Sequence, residues 1–493
     1  MLTDSNDQQS TQSELLFYLR GFLSTTQLLT TTEDLRPYEC DGLSAYKKLP
    51  IAVAIPETIE QIQQIVKICS RLFVPIVARG AGTGLSGGAM PNASGIILSL
   101  ARFNKILEVD TVNQTARVQP GVRNIAISEA AKPHDLFYAP DPSSQIACSI
   151  GGNVAENAGG VHCLKYGLTI HNILQVTFVS ADGELVTVGS LALDNTGYDL
   201  LSLITGSEGM LGIIVEVVVK LKPKPKAVNV ILAAFSQTEH AADAVNRIIG
   251  AGIIPAGLEM MDTLAIQAAE DFVKVGYPRD AQAILLCELD GDTEQLNHDT
   301  KQLISILNES NASSIREAHS TDEQAQLWAG RKAAFPAVGR LAPDYYCMDG
   351  TIPRHRIGHV LNKIDELSDH FGLKVANVFH AGDGNLHPLI LYDANQPGEF
   401  DKAERFGEKI LQLCVDVGGT ITGEHGVGSE KIDSMCYQFT STEITQFHAI
   451  KEAFDPHLIL NPEKTIPTLH RCAELGHMHI HNGELPHPEI PRF

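Results

Sequence analysis

The segment PIVARGAGTGLSGGAMPNASG, Pro75 to Gly95, decides between two folds for the first half of the chain. Its glycines at 82, 84 and 87 match the dinucleotide-binding fingerprint G-x-G-x-x-G, and the apolar run PIVAR before them predicts a strand. That fingerprint needs a helix to begin at the glycines, so that the helix N-terminus faces a pyrophosphate. The next residues, GAMPNASG, do not propagate a helix. The context therefore argues against a Rossmann fold and leaves open a loop whose successive N–H groups form an anion-binding nest.

Two further glycine-rich segments follow, PDPSSQIACSIGGNVAENAGGVHCLKYG (Pro140 to Gly167) and TGSEGMLGI (Thr205 to Ile213). Glycine pairs let a backbone approach a flat ligand closely. Three such loops in one domain predict a long, phosphorylated, partly flat ligand such as non-covalently bound FAD; the alternative is glycines that serve only as turns in a β-rich domain. The candidate cofactor-binding residues are Arg79, Gly80, Gly82, Thr83, Gly84, Ser86, Gly87, Pro140, Asp141, Ser144, Gly151, Gly152, Asn153, Asn157, Gly160, Gly167, Glu208, Gly209 and Ile213.

A second pattern, HAGDGNLH from His380 to His387, places two imidazoles on either side of a tight turn. Asp383-Gly384 predicts a hairpin, because glycine tolerates the positive φ of such turns, and apolar runs flank it on both sides. Side chains that face each other across an antiparallel pair have Cβ atoms roughly 5 Å apart. His380 and His387 are therefore expected to hold one ion between them.

The segment GEHG, Gly423 to Gly426, adds a carboxylate beside an imidazole. On a regular strand Glu424 and His425 would point to opposite faces, but the neighbouring glycines free the backbone to bend. Two histidines and Glu424 suit one divalent metal of Zn or Mn type with an open position, and His425 is then the candidate general base. The alternative is chance, since the chain has 19 histidines and Asp-Gly turns are common.

The chain of 493 residues is long enough for two or three domains, and strands alternate with helical patterns such as Pro56–Leu72. The Pro/Lys-rich segment KLKPKPKAV, Lys220 to Val228, marks a boundary. We expect an α+β protein with a helical lead-in (1–47), two domains (48–227 and 228–466) and a His-rich tail (467–493).

Charge and cysteine content exclude several classes of protein. The net charge of −22 argues against binding to nucleic acid or anionic lipid. The polar, acidic first residues are unlike a signal peptide, and no apolar run approaches the roughly 20 residues of a membrane span. The nine cysteines include no C-x-x-C pair, which fits a reducing cytosol and provides no ferredoxin-type cluster motif.

With RGAGTGLSGG, PDPSSQIACSIGGN, ITGSEGMLGI, HAGDGNLHP and GGTITGEHGVG, the chain resembles the FAD-linked oxidases of vanillyl-alcohol oxidase type. It is most similar to their D-2-hydroxyacid dehydrogenase branch, and the segments LWAGRKAAFPAVGR and NPEKTIPTLHRCAE resemble its glycolate-oxidising members. The resemblance covers nearly the whole chain. It implies an FAD-binding domain of two α/β subdomains followed by a substrate-cap domain with an antiparallel sheet and helices.

The resemblance also implies site residues. His380, His387 and Glu424 would bind the divalent metal, His425 would be the base, and Arg331 would clamp the substrate carboxylate. Relatives with larger dicarboxylic substrates tend to have a basic residue where Cys347 stands, so a small monocarboxylic hydroxy acid is implied, glycolate above all. D-lactate is the second candidate substrate. A catalytically silent flavoprotein subunit and a metalloenzyme without flavin are competing hypotheses for the chain as a whole.

The chain shows no onward electron carrier: it has no cluster motif, no haem attachment motif and no membrane span. The resemblance implies a second FAD-binding-type subunit and an iron–sulfur subunit that pass electrons toward membrane quinone. We expect a cytoplasmic protein that contacts the inner membrane only through these partners. The tail, with His477, His479, His481 and His487, is expected to be either a disordered end or a segment packed on a partner.

Overall fold

The structure, a computed structural model, describes residues 5–192 and 196–467, with side chains from residue 9 onward. The predicted His-rich tail lies outside the described residues apart from Pro467. The described helices are α1 (Ser5–Arg20), α2 (Thr32–Leu35), α3 (Ile59–Leu72), α4 (Asn124–Ala131), α5 (Ile150–Glu156), α6 (Cys163–Tyr166), α7 (Leu200–Ile204), α8 (Thr238–Gly250), α9 (Thr263–Val273), α10 (Thr293–Glu309), α11 (Thr321–Val338), α12 (Ile357–Phe371), α13 (Glu399–Asp416), α14 (Ile432–Gln438) and α15 (Ser441–Phe454).

The described strands alternate with these helices along the chain. They are β1 (Leu28–Leu29), β2 (Ala52–Ala54), β3 (Ile76–Arg79), β4 (Ile96–Ser99), β5 (Ile106–Asp110), β6 (Thr115–Val118), β7 (Leu136–Phe137), β8 (Ile173–Val179), β9 (Leu185–Gly189), β10 (Ile213–Lys220), β11 (Lys222–Pro223), β12 (Ala227–Phe235), β13 (Gly257–Asp262), β14 (Ala283–Gly291), β15 (Ser314–Glu317), β16 (Asp344–Cys347), β17 (Val375–His380) and β18 (Pro388–Tyr392). Helices and sheets of both kinds make this an α+β protein, as predicted.

The described residues form two compact units. The first unit contains the described parts of Met1–Ala158, Leu168–Pro223 and His425–Phe493, and the second contains Gly159–Gly167 and Lys224–Glu424. The change of unit after Pro223 falls inside the Pro/Lys-rich segment. The predicted domains place 159–167 in the first domain and 425–466 in the second, whereas contacts in the structure group 159–167 with the second unit and 425–466 with the first. The domain bounds themselves stay a prediction.

The first sheet of the first unit has the order β1-β2-β4-β3, with β2, β4 and β3 parallel. Helix α3 begins after Thr58, whose hydroxyl accepts a hydrogen bond from Gln61 N, and ends at Phe73, which adopts a left-handed conformation. Its apolar face is buried in the same core as the sheet, as the predicted periodicity requires. No helix occurs within residues 80–95, all of which the structure describes. The expectation of an irregular glycine loop after β3 is therefore confirmed.

The lead-in is only partly helical. Helix α1 packs Leu15 and Leu19 into the core of the first sheet, but β1 then pairs antiparallel with β2. At the other end of the chain, Leu460 forms a parallel bridge with Ile76, and Ile459 lies in the same core. Both segments bury apolar side chains that would otherwise face water, which explains why 425–467 groups with the first unit.

The second sheet of the first unit is antiparallel, with the order β5-β6-β10-β8-β9. Helices α4 and α5 contribute to its core through Ile127, Ile150 and Val154. Helix α5 begins after Ser149, whose hydroxyl accepts from Gly152 N, and ends at Asn157 in a left-handed conformation. Helix α5 lies within the second glycine-rich segment, and the third segment leads into β10. Both elements contribute to this one core.

The second unit is built on a seven-stranded antiparallel sheet with the order β15-β12-β14-β13-β17-β18-β16. The predicted hairpin is present, with Asn377 opposite Pro388, but its connection is wider than a two-residue turn. His380 forms a bridge with Asn385, so His380 and His387 are not direct cross-strand partners, contrary to the sequence-based prediction. Gly384 has φ +84°, and a Cβ there would lie 2.1 Å from Ile352 O, so glycine is required.

The segment 159–167 belongs to the second unit through polar contacts. Lys165 Nζ donates to Asp290 O at 2.7 Å, and Tyr166 also contacts the Asp290 carboxylate. His162 Nε2 lies 3.0 Å from Glu288 Oε1, a residue of β14. None of the helices that the structure describes is long and apolar enough to cross a membrane.

Candidate functional site

Three side chains of the second unit bring metal-binding atoms together. His380 Nε2 lies 3.4 Å from Glu424 Oε1, and His387 Nε2 lies 3.2 Å from the same oxygen. All three ligand atoms lie within 4.8 Å of one another. Tetrahedral ligands about 2.1 Å from a zinc ion lie about 3.4 Å apart, which matches these separations. The predicted trio therefore fits a divalent ion in spacing and in ligand type.

The orientation of His380 is fixed by Glu259, a residue of β13 that the sequence analysis missed. His380 Nδ1 lies 2.7 Å from Glu259 Oε1, and Glu259 is 1% exposed. Because an ionised carboxylate only accepts hydrogen bonds, Nδ1 must donate, and the neutral imidazole then presents its Nε2 lone pair to the ligand cluster. A carboxylate behind a metal-binding histidine is the usual support of such ligands.

The charges in this cluster depend on one another. Burial alone would raise the pKa of Glu259 and of Glu424, but the adjacent imidazoles, and for Glu259 also Arg331, outweigh burial, so both pKa values lie below the ordinary value. Burial alone would lower the pKa of His380, but the carboxylates of Glu259 and Glu424 raise it well above the ordinary value. The carboxylates and the His380 imidazole thus stabilise one another's charge in this buried cluster.

Arg331, the predicted carboxylate clamp, lies on α11 and is 3% exposed. Its Nε donates to Glu259 Oε2 at 2.8 Å, and its Nη2 lies 2.6 Å from the same oxygen. Arg331 is therefore a buried, paired cation. One carboxylate, Glu259, orients both a candidate metal ligand and the candidate clamp.

Asp349 supports the main chain that carries Glu424. Its carboxylate accepts hydrogen bonds from the N–H groups of Gly423 and Glu424 and from the Thr422 hydroxyl, at 2.6–3.2 Å. Asp349 is fully buried, and His387 Nε2 lies 3.5 Å from its Oδ1. Sequence analysis also missed this residue, which lies two positions after β16.

His425, the candidate base, follows Glu424 in the chain but groups with the first unit. The main chain bends there as the glycines predicted, with φ +80° at Gly426 and +54° at Gly428. The candidate metal ligands and the candidate base are therefore supported by different units, although a single peptide bond joins Glu424 to His425.

The three glycine-rich segments converge within the first unit, apart from the end of the second segment at 159–167. A Cβ at Gly80 would lie 2.2 Å from Ser149 Oγ, so the first and second segments touch. Gly206 N donates to Val154 O and Glu208 N to Ala155 O, both at 2.8 Å, which joins the third segment to α5. Asn461 Nδ2 bridges Gly88 O and Glu208 O at 3.0 and 2.6 Å. Three loops that lie far apart in sequence are thus in contact with one another.

The first loop folds over Arg79. Gly82 has φ +70°, and a Cβ there would lie 2.2 Å from Arg79 Nη2. Arg79 is 8% exposed, and its Nη1 donates to Cys40 O at 2.7 Å. Lys464 Nζ donates to Gly88 O at 2.8 Å and also contacts Met90 O. The guanidinium of Arg79 therefore packs against the first loop, and its direct contact with the cofactor stays a prediction.

The other predicted cofactor residues lie along the same segments. Thr83, Gly84, Ser86 and Gly87 continue the first loop; Pro140, Asp141, Ser144, Gly151 and Gly152 lie in the second, and Gly209 and Ile213 in the third. Asn153 Oδ1 accepts from Asn124 Nδ2, and Asn157 Oδ1 accepts from Ile170 N, each at 3.0 Å, so these side chains support the protein itself. Gly160 and Gly167 lie in the segment that groups with the second unit.

Two family models match the chain. The C-terminal domain of FAD-linked oxidases matches residues 224–465, and an FAD-binding domain matches residues 50–189. The chain is 60% identical to the glycolate oxidase subunit GlcD of Escherichia coli K12, over 98% of this chain and 97% of that protein. It is 40% identical to GlcD of Bacillus subtilis, over 87% and 91% of the two chains. It is 33% identical to a D-lactate dehydrogenase of Anaerostipes hadrus, over 86% and 91%.

Two solved structures share the fold. p-Cresol methylhydroxylase has a TM-score of 0.80 at 18% identity, covering 94% of this chain and 98% of that one. The 4-ethylphenol oxidase of Gulosibacter chungangensis has a TM-score of 0.76 at 17% identity, covering 95% and 99%. With the family models, these likenesses confirm the predicted fold, an FAD-binding domain of vanillyl-alcohol oxidase type with a C-terminal domain that carries an antiparallel sheet.

Proposed function

This chain belongs to the FAD-linked oxidase family, and we propose that it oxidises glycolate to glyoxylate. The observation that carries the proposal is the cluster of His380 Nε2, His387 Nε2 and Glu424 Oε1, followed directly in the chain by His425. The likeness to relatives named as glycolate oxidase subunits supports this substrate. Oxidation of a 2-hydroxy acid removes a proton from the hydroxyl oxygen and a hydride from the carbon that bears this oxygen. The reaction therefore needs a base and a two-electron acceptor.

The chain's own residues have separate tasks in this reaction. When bound, FAD supplies the two-electron acceptor and a divalent ion supplies a Lewis acid that makes a hydroxyl more acidic. His380, His387 and Glu424 would hold the ion. His425 would accept the hydroxyl proton, a contribution of about 10²–10⁴-fold in rate. Arg331, oriented by Glu259, would bind the substrate carboxylate and limit its rotation.

The residues beside His387 favour a small substrate. The ring of Phe335 packs edge-on against His387 with centroids 6.1 Å apart, and the Tyr345 ring lies 6.4 Å from Phe335. Cys347, where a basic residue would bind a second carboxylate, is buried at the end of β16. An aromatic wall without an added positive charge suits glycolate, which has no side chain. D-lactate, one methyl group larger, remains the second candidate because D-lactate dehydrogenases are among the relatives.

The reduced flavin must pass its electrons on, and we propose that partner subunits receive them. The relatives from Escherichia coli and Bacillus subtilis are both named as subunits, which supports a multisubunit enzyme. The proposed partners are a second FAD-binding-type subunit and an iron–sulfur subunit that lead to membrane quinone. The chain would then be cytoplasmic and contact the inner membrane through those subunits. Reconstitution of glycolate-dependent quinone reduction from the separate subunits tests this part.

Anaerobic mixing of the purified, metal-loaded chain with glycolate or D-lactate tests the substrate. We expect the visible flavin absorbance to bleach with both acids, and with a higher second-order rate constant for glycolate. A chain that holds flavin but is not reduced by any 2-hydroxy acid would favour a catalytically silent subunit. A colourless chain that remains colourless after incubation with FAD would favour a metalloenzyme without flavin.

A further inference from the structure

The main chain that follows His425 is held by one buried carboxylate of the first unit. Val427 N donates to Glu208 Oε1 and Gly428 N donates to Glu208 Oε2, both at 2.7 Å. Both oxygens of one carboxylate thus bind two consecutive N–H groups. Hydrogen bonds to an ionised acceptor are stronger than neutral ones, and paired bonds also fix direction. Residues two and three positions after the candidate base therefore have a defined place.

Glu208 is itself built into a strained but well-supported turn. Its φ is +51°, a conformation that disfavours residues with a Cβ, and it stands between glycines 206 and 209, which also have positive φ. Glu208 N donates to Ala155 O, and Glu208 O accepts from Asn461 Nδ2. The main chain of Glu208 is thus fixed on both sides. Strain of this kind persists where the surroundings hold the residue, which is common at functional sites.

The segment after His425 also fits tightly against its neighbours. A Cβ at Gly426 would lie 2.1 Å from Glu156 Oε2 and 3.0 Å from Glu208 Oε1. A Cβ at Gly428 would lie 2.1 Å from Ser86 O, which also accepts the N–H groups of the next two residues at 3.0 and 3.1 Å. The turn therefore has little freedom to shift, and it is anchored on the first and third glycine-rich segments.

Buried charge reinforces this anchor. Lys431 Nζ donates to Gly426 O at 3.0 Å, and its positive charge favours the ionised form of Glu208. Burial raises the pKa of Glu208, and the two N–H donors act in the opposite direction. The carboxylate thus loses hydration but gains two main-chain donors, which is how a buried acceptor is normally satisfied.

We propose that Glu208 is a positioning residue for His425. By binding the N–H groups of Val427 and Gly428, it holds the main chain so that the His425 imidazole is presented in one orientation to the substrate hydroxyl. This assigns Glu208 a role other than the flavin contact expected from sequence. The inference rests on the proposed function, because it needs His425 to be the base.

A double-mutant cycle in the full-length, metal-loaded chain with excess FAD tests the proposal. The variants are Glu208→Gln, His425→Ala and the two combined, and the measurement is the rate of flavin reduction by glycolate in anaerobic stopped flow. Glutamine has one acceptor oxygen, and its NH2 group is a donor. In Glu208→Gln this NH2 therefore faces one of the two main-chain N–H donors and cannot accept its hydrogen bond. Misplacement of a catalytic group by about 1 Å costs about 10²-fold in rate.

We expect Glu208→Gln to keep FAD, metal and the glycolate concentration for half-maximal reduction, and to slow reduction by about 10²-fold. In the His425→Ala background the same change should have no further effect, because residues that act through one another are not additive. An equal slowing in both backgrounds, a wild-type rate in Glu208→Gln, or loss of FAD from Glu208→Gln would each overturn the proposal.

Asp455→Asn is the matched control. Asp455 is also fully buried, and its two oxygens accept from two consecutive N–H groups, those of Ile459 at 3.2 Å and Leu460 at 2.7 Å. We expect it to lower the melting temperature but to leave the rate per bound flavin unchanged. If it slows flavin reduction as much as Glu208→Gln, the effect reflects general loosening and the proposal fails. If wild-type protein itself is not reduced, the proposed function fails first, and the two failures are thus distinguished.

Discussion

The two histidine-bearing segments of this chain are supported in different ways. In the second unit, Glu259 contacts the imidazole of His380 directly, at 2.7 Å. In the first unit, Glu208 binds the main chain after His425, at 2.7 Å from two N–H groups. A metal ligand needs a fixed tautomer, and a carboxylate on its ring provides it. A catalytic base must gain and lose a proton in each turnover. Because Glu208 binds the main chain, it can position His425 without a hydrogen bond to the imidazole ring itself.

The largest effect should come from removing a metal ligand. His380→Ala removes one of three donor atoms, so we expect loss of the bound metal and a fall of at least about 10³-fold in glycolate-dependent flavin reduction, since a Lewis acid contributes several kcal/mol. Most of the predicted FAD-binding residues lie in the first unit and the three candidate metal ligands lie in the second, so FAD should remain bound. Metal analysis and the flavin spectrum of the same sample measure both quantities. Loss of FAD together with the metal would contradict the expectation that different residues hold the two groups.

Removal of metal from the wild-type chain is the companion experiment. A strong chelator followed by desalting should abolish flavin reduction and leave the flavin spectrum of the resting protein intact. Re-addition of Zn²⁺ or Mn²⁺ should restore the rate, and the ion that restores it at the lower concentration identifies the preferred metal. An unchanged rate after complete removal of divalent metal would show that the cluster of His380, His387 and Glu424 is not required.

The next effect should come from the base. His425→Ala should keep metal and FAD, because its side chain is not among the three proposed ligands, and should slow flavin reduction by about 10²–10⁴-fold. His425→Ala and His380→Ala are thus expected to share a slow rate but to differ in metal content. Equal metal loss in both variants would mean that His425 is a ligand and would break the comparison between the two segments.

A smaller effect should follow from Glu259→Gln. Loss of the carboxylate behind His380 should weaken metal binding by about 10–100-fold, the usual effect of removing such a support. Excess metal should therefore restore most of the activity of Glu259→Gln. It should not restore Glu208→Gln, whose defect concerns the main chain beside the base. A rate of Glu259→Gln that does not respond to metal would indicate that its main role is to orient Arg331.

The sequence pointed to the candidate metal ligands more readily than to the residues that support them. His380 and His387 stand in one short motif around a turn, and Glu424 stands in a glycine-rich bend, so ligand type and the family resemblance pointed to them together. Glu259 and Asp349 lie 121 and 75 positions from the residues they hold, and no local pattern links them. A signal existed for Glu259, because a charged residue inside the apolar strand GLEMMD must have a partner if it is buried.

The fold was inferred on similar terms. The failure of GAMPNASG to continue a helix excluded a Rossmann fold, and residues 80–95 indeed contain no helix. The pairing of β1 with β2 and of Leu460 with Ile76 could not be predicted, because each joins segments that are distant in sequence and short. Residues 425–467 group with the first unit because apolar side chains such as Leu460 are buried in its core, far away in sequence. The position of the Pro/Lys-rich linker does not reveal such long-range burial.

The smallest effect is expected at Phe335, which is not a proposed metal ligand and does not hold either histidine segment in place. Its ring packs against His387 at 6.1 Å, so Phe335→Ala opens space beside the metal cluster without removing a donor atom. One methyl group is worth about 10-fold in discrimination by an apolar wall, so the ratio of kcat/KM for D-lactate to that for glycolate should rise by about 10-fold. Tyr437→Ala, an exposed aromatic of the first unit, is the control and should leave the ratio unchanged. Metal and FAD content should be unchanged in both variants, because the carboxylates that hold the two histidine segments are intact. A ratio that stays constant in Phe335→Ala would show that substrate size is limited elsewhere.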